Sequence, residues 1–268
     1  MNILRCPVCK NDLLAEAKRF VCANNHSFDI ARQGYVNLLL SSQMASKHPG
    51  DSAEMLNDRH AFLEAGFYQP LRERIVEILS QRQISPTHEH ILDLGCGEGY
   101  YTAAMVAPNR HVVGLDIAKP ALTMAAKRSR DITWCVGTSR ALPLHDDSVD
   151  TITNIFCRPH PAEIHRVLRD DGNLIIVAPG PNHLHEMREI LYETVREETV
   201  RHELENFSLI ETETLTYEFT VPAEHLMRLA RMTPHYWRAA QSRRENLEKI
   251  EELTLHVEFD IKRYSKNV

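Results

Sequence analysis

Long apolar runs are absent from this sequence of 268 residues. A helix that crosses a membrane needs about 18 or more consecutive apolar residues, and no stretch approaches that length. The first ten residues, MNILRCPVCK, also lack the apolar segment of a secretory signal. We therefore expect a cytoplasmic protein with no membrane partner. A hydrophobic fraction of 43% still allows a buried core, and the length suggests one large domain plus a smaller module.

Positive charge is scarce overall, since the formal net charge is −6, and this argues against a general binder of polyanions. Two regions depart from the average. Residues 1–50 carry six Lys/Arg against three Asp/Glu, and residues 225–244 carry five arginines and no carboxylate. A local basic face on an acidic protein suits a structured nucleic acid. The alternative is a solvated helix face that neighbours such as Glu245 and Glu248 compensate.

Two aromatic residues, Tyr236 and Trp237, lie among the arginines of this second region. Aromatic rings next to arginines are the mixture that unpaired RNA bases need, because the rings stack and the guanidinium groups hold phosphates. The alternative is that the two rings anchor a lid in the core. The sequence leaves both interpretations open.

The six cysteines do not form the pattern of a disulfide framework, because three of them cluster before residue 23. Cys6, Cys9, Cys22 and His26 have the spacing C-x2-C-x12-C-x3-H. Three thiolates and one imidazole predict a closed, tetrahedral structural zinc site. The alternative is reduced cysteines without metal beside an accidental histidine. Zinc ribbons bind RNA, DNA and protein, so the spacing does not identify the partner.

The stretch ILDLGCGEGYY at residues 91–101 combines a short apolar strand with three alternating glycines. Alternating glycines let backbone N–H groups approach a ligand closely. The dinucleotide fingerprint would need a glycine where Tyr100 stands, which disfavours a nicotinamide oxidoreductase. A strand with Asp93 near its tip, followed by Gly95, Gly97 and Gly99, resembles the S-adenosylmethionine loop of class I methyltransferases. The alternative is a tight turn without a ligand.

Two later strand ends extend this resemblance. The strand 111–117 ends at Asp116, whose carboxylate can accept both ribose hydroxyls of a bound nucleoside; otherwise Asp116 is a strand-end acid in a turn. After the strand 132–136, methyltransferases of this class commonly carry an acidic residue that faces the adenine amine. Thr138 and Ser139 stand there instead, so backbone or hydroxyl contacts are expected to bind the adenine.

Alternating strands and helices predict an α/β fold, a class I methyltransferase with a Rossmann-like, mostly parallel sheet and an N-terminal zinc-binding module. We expect a helix over residues 100–107, another over 70–80, and a helix opened by Asp51 as its cap. Extended chain at 207–221 precedes a last, antiparallel strand at 253–261. We divide the chain into the zinc-binding RNA-recognition module 1–40, a linker with helices that pack on the sheet at 41–90, and the methyltransferase domain 91–268.

The ordered set of motifs along the whole chain resembles the RlmA family. It comprises the Cys/His cluster, Phe28-Asp29 with Gly34–Leu38, Pro49–Ser52, LDLGCGEGYY and PGPNHL. The resemblance implies S-adenosylmethionine-dependent methylation of guanine N1 in a 23S rRNA hairpin, RNA binding by the zinc module, and a homodimer as the assembly. It also implies cofactor contacts at these positions: Tyr68, Gly95, Gly97, Gly99, Tyr100, Tyr101, Thr102 and His183.

Methylation at guanine N1 requires an unpaired or flipped base and the loss of the N1 proton. Candidate proton acceptors are Asp51, His160 and His183. The Asn/Asp-Pro-Pro-Tyr/Phe motif of many amino-group methyltransferases is missing, since residues 157–161 read CRPHP. Two other functions remain open: a methyltransferase for a small molecule or protein whose zinc module is purely structural, and a non-catalytic RNA-binding module with a vestigial nucleoside pocket.

Overall fold

The computed structural model describes residues 3–44, 50–81, 88–195 and 204–267. A small antiparallel sheet near the N-terminus contains β1 (Leu14–Ala15), β2 (Arg19–Val21) and β3 (Ser27–Asp29). The remaining strands are β4 (Tyr35–Asn37), β5 (Glu89–Leu94), β6 (Arg110–Asp116), β7 (Ile132–Val136), β8 (Val149–Ile155), β9 (Leu168–Pro179), β10 (Phe207–Pro222) and β11 (Glu252–Lys266).

These eight strands form one sheet in the order β10-β11-β9-β8-β5-β6-β7-β4. The pairs from β9 through to β4 are parallel, whereas β11 lies antiparallel to both β9 and β10. The strand order turns back at β5, where β6 lies on one side and β8 on the other. This is the predicted class I methyltransferase topology, and the prediction of an antiparallel last strand is confirmed.

Helices cover the sheet: α1 (Ala53–Glu64), α2 (Gln69–Ser80), α3 (Lys119–Arg128), α4 (Pro161–Val167), α5 (His185–Leu191), α6 (Ala223–Arg231), α7 (Pro234–Arg238) and α8 (Gln241–Leu247). The predicted helix at 70–80 is confirmed as α2, which buries Leu71, Ile75 and Leu79 on one face. None of the described helices has the length and apolar character that a membrane span requires.

Two local predictions were wrong. The helix expected over residues 100–107 is only a 3₁₀ turn at Thr102–Met105, and the chain is already extended at Val106, two residues before Pro108. A residue that precedes a proline is disfavoured in the α region, so the helix has no room to continue. The cap of α1 is Ser52, whose hydroxyl accepts the backbone N–H of Met55 at 3.2 Å. Asp51 is therefore available for another contact.

The zinc module is physically continuous with the large sheet. Its last strand, β4, pairs in parallel with β7, with Tyr35 opposite Trp134. Near the start of the chain, the backbone N–H of Arg5 donates to the carbonyl of Pro143 at 3.0 Å. Residues 45–49 of the expected linker, including Pro49 of the family motif, lie outside the described residues.

Candidate functional site

A cavity of about 930 Å³ opens at the carboxyl ends of β5, β6, β8 and β9. In doubly wound sheets, ligands bind at this edge where the strand order reverses. The glycine loop after β5 forms one wall, and residues after β8 and β9 form another. The lining also includes residues 50, 51, 55 and 59, from α1 and the segment before it, and residues 232–235, 237 and 238.

The glycine loop depends on glycine for two different reasons. Gly95 has a φ of +80°, and a Cβ there would lie 2.6 Å from Sγ of Cys157. Gly97 has a φ of +54°, but the nearest atom to its added Cβ is Nη1 of Arg59 at 3.8 Å. Packing therefore excludes a side chain at Gly95. At Gly97 the backbone conformation favours glycine and leaves the loop open toward the cavity.

Asp93 is buried and its carboxylate holds the base of the loop in place. It accepts the hydroxyl of Thr102 at 2.5 Å and that of Thr153 at 2.8 Å. Burial raises the pKa of Asp93 to about 6, although both hydroxyl contacts oppose that rise. Asp93 lines the cavity, but its two oxygens are engaged inside the protein. A direct contact of Asp93 with the cofactor stays a prediction.

Asp116, at the end of β6, positions the ligand-facing backbone. Its two oxygens accept the N–H groups of Gly97 at 2.9 Å and Ala118 at 2.7 Å. Burial raises its pKa, and the two N–H contacts counteract the rise. A carboxylate oxygen has two lone pairs, so Asp116 can still accept a hydroxyl from the cavity. This fits the predicted ribose contact.

Tyr68 and His183, 115 residues apart, meet at the far side of the cavity. The Tyr68 hydroxyl lies 3.2 Å from Nε2 of His183, and Nδ1 of His183 accepts the backbone N–H of Glu258 at 3.2 Å. Since Nδ1 accepts a proton donor, the neutral tautomer carries its hydrogen on Nε2 and donates it to Tyr68. Burial lowers the pKa of His183 to about 3. His183 is thus a wall residue, and its hydrogen bonding speaks against the predicted role as proton acceptor.

Three residues of the cavity wall carry buried polar atoms that have no hydrogen-bond partner in the protein, among the described residues. The hydroxyls of Tyr100 and Tyr101 and Oε1 of Glu98 are buried without a hydrogen-bond partner among the described residues. All three residues line the cavity. A nucleoside sulfonium with amino, carboxylate and hydroxyl groups supplies partners for such atoms, so the residues present fit S-adenosylmethionine.

Five predicted site residues lie away from the cavity lining. Gly99 packs against Trp134, since an added Cβ would lie 2.8 Å from that ring. Thr102 is buried and bonded to Asp93. Thr138 is buried, and the hydroxyl of Ser139 lies 2.8 Å from Nδ1 of His160. The structure brings Ser139 and His160 to each other but places neither in the lining, and their predicted roles gain no support from this geometry.

Asp51 does reach the cavity. Its Oδ2 accepts Nη1 of Arg59, and both side chains are about a quarter to a third exposed. Arg59 could have been found from the sequence, because it follows Asp51 by eight residues across the start of a predicted helix. Phe156 could have been found as well, from its position at the carboxyl end of a parallel strand.

Cys157 lines the cavity beside the loop. Burial raises the pKa of this thiol to about 11, and the nearby carboxylates of Asp116 and Asp93 add to the rise. The thiol is neutral near pH 7, so it has little of the thiolate character that a nucleophile needs.

The four predicted metal ligands meet in the N-terminal module. The ligand atoms of Cys6, Cys9, Cys22 and His26 all lie within 4.8 Å of one another. Sγ of Cys9 and Sγ of Cys22 are 3.6 Å apart, and Sγ of Cys22 lies 3.3 Å from Nδ1 of His26. Tetrahedral zinc with Zn–S bonds of about 2.3 Å separates its ligands by roughly 3.5–3.8 Å. The cluster therefore fits zinc, with no coordination position left for catalysis.

Comparison with known proteins agrees with both parts. Residues 4–47 match the family described as RlmA, N-terminal, with its zinc ribbon, and residues 91–172 match a methyltransferase domain. The 23S rRNA (guanine(748)-N(1))-methyltransferase of Streptomyces fradiae is 31% identical over 97% of this chain and 96% of its own. YxjB of Bacillus subtilis (strain 168), to which a 23S rRNA guanine-N1 methylation is assigned provisionally, is 31% identical over the same shares. The chain belongs to this family of S-adenosylmethionine-dependent 23S rRNA (guanine-N1)-methyltransferases with an N-terminal zinc ribbon.

Proposed function

We propose that this protein transfers a methyl group from S-adenosylmethionine to N1 of a guanine in a 23S rRNA hairpin, in the cytoplasm. The main support is that relatives named for this reaction share the zinc ribbon and the methyltransferase domain over nearly the full chain. In this proposal residues 1–40 recognise RNA and residues 91–268 hold the cofactor. Residues 41–90 form the linker between them, with helices that pack on the sheet. A second copy of the chain would present two zinc modules to one hairpin, and analytical ultracentrifugation with and without the RNA tests this dimer.

The bound cofactor supplies an already activated methyl group on a sulfonium. The protein then has to align the acceptor with that methyl group and exclude water, which is mainly a matter of position. We assign Gly97 and Asp116 to the nucleoside, and the buried hydroxyls of Tyr100 and Tyr101 to the polar end of the cofactor. Tyr68, fixed by His183, closes the wall beside them.

Asp51 is our candidate for the group that accepts the guanine N1 proton. Of the other carboxylates in the lining, Asp93 and Glu98 are buried and Asp116 is partly exposed; Asp93 is held by hydroxyls, Glu98 by Arg128, and both oxygens of Asp116 by backbone N–H groups. Asp51 is partly exposed, and Arg59 engages only one of its oxygens among the described contacts. The contact with Arg59 orients the carboxylate and leaves the second oxygen to receive a proton.

The decisive test of the function maps modified guanines by mass spectrometry in 23S rRNA from a strain that lacks this protein. One N1-methylguanine should disappear and return when purified protein and S-adenosylmethionine are added. If no rRNA position changes while calorimetry shows cofactor binding, the chain is a methyltransferase for another substrate. If the cofactor does not bind, the vestigial-pocket alternative holds.

The zinc module is tested best by Cys22→Ser rather than by truncation, because deletion of residues 1–40 would also remove β4 from the large sheet. We expect loss of rRNA methylation with cofactor affinity kept within a few-fold. For the proton acceptor, Asp51→Asn should abolish methylation without weakening cofactor binding, whereas His160→Ala serves as the matched comparison outside the cavity. A rate for Asp51→Asn within a few-fold of the natural protein would refute the assignment.

A further inference from the structure

The cavity is also lined by exposed aromatic side chains to which the cofactor assignment gives no role. Eight large apolar side chains are exposed among the described residues, and two of them are aromatic: Phe156 at 43% and Trp237 at 53%. Both of these aromatic side chains line the cavity. Exposed aromatic side chains on the lining of a cavity are typical of binding sites, because each ring offers a large apolar face to a partner.

Each ring is held in position by the protein. Phe156 has a φ of +55°, uncommon for a non-glycine residue, and its ring lies 5.7 Å from that of Phe259 and 6.4 Å from that of Tyr101. The indole N–H of Trp237 donates to the carbonyl of Arg231 at 2.9 Å, and the ring stands edge-on to Tyr236 at 5.3 Å. Exposed side chains fixed in this way on the lining of a cavity are preorganised binding surfaces.

Each of the two aromatic residues has an exposed arginine close behind it in the sequence. Arg158 lies two residues after Phe156, and Arg238 comes directly after Trp237. Both arginines also line the cavity, and no described carboxylate pairs with either of them. A guanidinium without an internal partner at such a site is suited to a phosphate. The combination of an aromatic face with a neighbouring guanidinium is the one that single-stranded RNA recognition uses.

We infer that Phe156 and Trp237 hold the extruded guanine by stacking, while Arg158 and Arg238 bind the phosphates on either side of it. This inference rests on the proposed RNA substrate and specifies how that substrate is held. It also gives different roles to two adjacent aromatic residues. Tyr236 is buried and its hydroxyl donates to Glu248, so it is a core residue, whereas Trp237 provides the surface on which the base stacks.

The two tryptophans of the chain provide a direct test. Trp134 is 1% exposed in the core, so RNA can reach only Trp237. Titration of unmethylated 23S rRNA hairpin into the full-length protein should quench the exposed part of the tryptophan emission, and Trp237→Phe should remove that response. Trp237→Ala should lower kcat/KM for the hairpin by roughly 5- to 150-fold, the loss expected for one stacked base. Trp237→Phe should restore most of this activity.

The phosphate contacts are tested by the salt dependence of hairpin binding. Arg158→Gln and Arg238→Gln should each reduce the salt dependence of hairpin affinity by roughly 0.7 in the slope of log K against log salt. Arg263→Gln, which changes the same charge on a residue paired with Glu211 outside the cavity, is the control. Calorimetry with S-adenosylmethionine should show unchanged affinity for the Trp237, Arg158 and Arg238 variants.

The outcomes separate this inference from the proposed function. If the natural protein methylates the hairpin, but Trp237→Ala does so equally well and RNA leaves the emission unchanged, the stacking role of Trp237 is refuted and the function stands. If Trp237→Ala changes the sedimentation of the protein and not its RNA kinetics, the exposed ring belongs to an interface between copies and the inference is equally wrong. Absence of hairpin methylation by the natural protein would refute the function itself.

Discussion

The stability of this protein should depend on pH through His183, and replacement by asparagine should remove that dependence. The imidazole is 8% exposed, and burial lowers its pKa from 6.5 to about 3. Between these two pH values the unfolded chain binds a proton that the folded protein does not. The free energy of unfolding therefore rises with pH in this window, and the contribution of His183 is lost as the pH falls below 6.5.

The size of the effect follows from the shift. Each pH unit below 6.5 costs the folded state about 1.4 kcal/mol, so the penalty grows by about 2 kcal/mol between pH 7 and pH 5. The nearby groups Arg188, His235 and His256 act on the pKa of His183 in the same direction as burial. Asp93 titrates in part of the same range with the opposite sign, because its pKa is raised to about 6.

The assay is urea unfolding of the natural protein and His183→Asn at pH 7 and pH 5. Comparing the two proteins cancels Asp93 and every other shared group, and the asparagine oxygen can still accept the N–H of Glu258. The variant should gain about 2 kcal/mol relative to the natural protein on acidification. Tyr68→Phe removes the hydroxyl partner without removing the imidazole, so it should keep the natural pH dependence. A stability difference between the natural protein and His183→Asn that does not change with pH would refute the reasoning.

Three other predictions concern stability and metal. Gly95→Ala should lower the free energy of unfolding by about 3 kcal/mol or more, because a positive φ adds to the clash with Cys157, whereas Gly97→Ala should cost about 1 kcal/mol; equal urea midpoints would contradict this difference. Arg110→Met should cost about 3–5 kcal/mol, because Glu89 is 1% exposed and would lose its 2.8 Å ion pair, and adding Glu89→Gln should recover part of that loss in thermal unfolding. Metal analysis of the purified protein should find one zinc per chain that Cys9→Ser releases, and retention of zinc by that variant would show that the ligand set is wrong.

The parts of this molecule that could be predicted from sequence are those in which one local pattern decides the outcome. The cysteine and histidine spacing is sufficient to bring the four ligands together, and the apolar strand with its glycines is sufficient to form the loop after β5. Strands that are buried on both faces also follow from continuous apolar runs. For these features, neighbours in sequence are neighbours in space.

The remaining features depend on contacts between distant segments. Tyr68 and His183 meet only because α2 and the loop after β9 converge on one end of the sheet. The requirement for glycine at position 95 comes from Cys157, which belongs to a different strand end. Asp51 was predicted as a cap and instead pairs with Arg59, because the helix starts one residue later. Sequence patterns locate the start of a helix only to within one or two residues, so they cannot detect a shift of this size.

Strand β4 joins the zinc module to the sheet that carries the cofactor loop. Strand β4 places Tyr35 opposite Trp134 of β7, and Trp134 in turn packs over Gly99 of the cofactor loop. These contacts connect the last strand of the module with the glycine loop. However, Trp134 is also fixed independently, since its indole N–H donates to the carbonyl of Ser129 at 3.0 Å. Because Trp134 has this second contact, we expect the glycine loop to keep its shape when zinc is lost. The sheet thus fixes where the ribbon stands relative to the cavity.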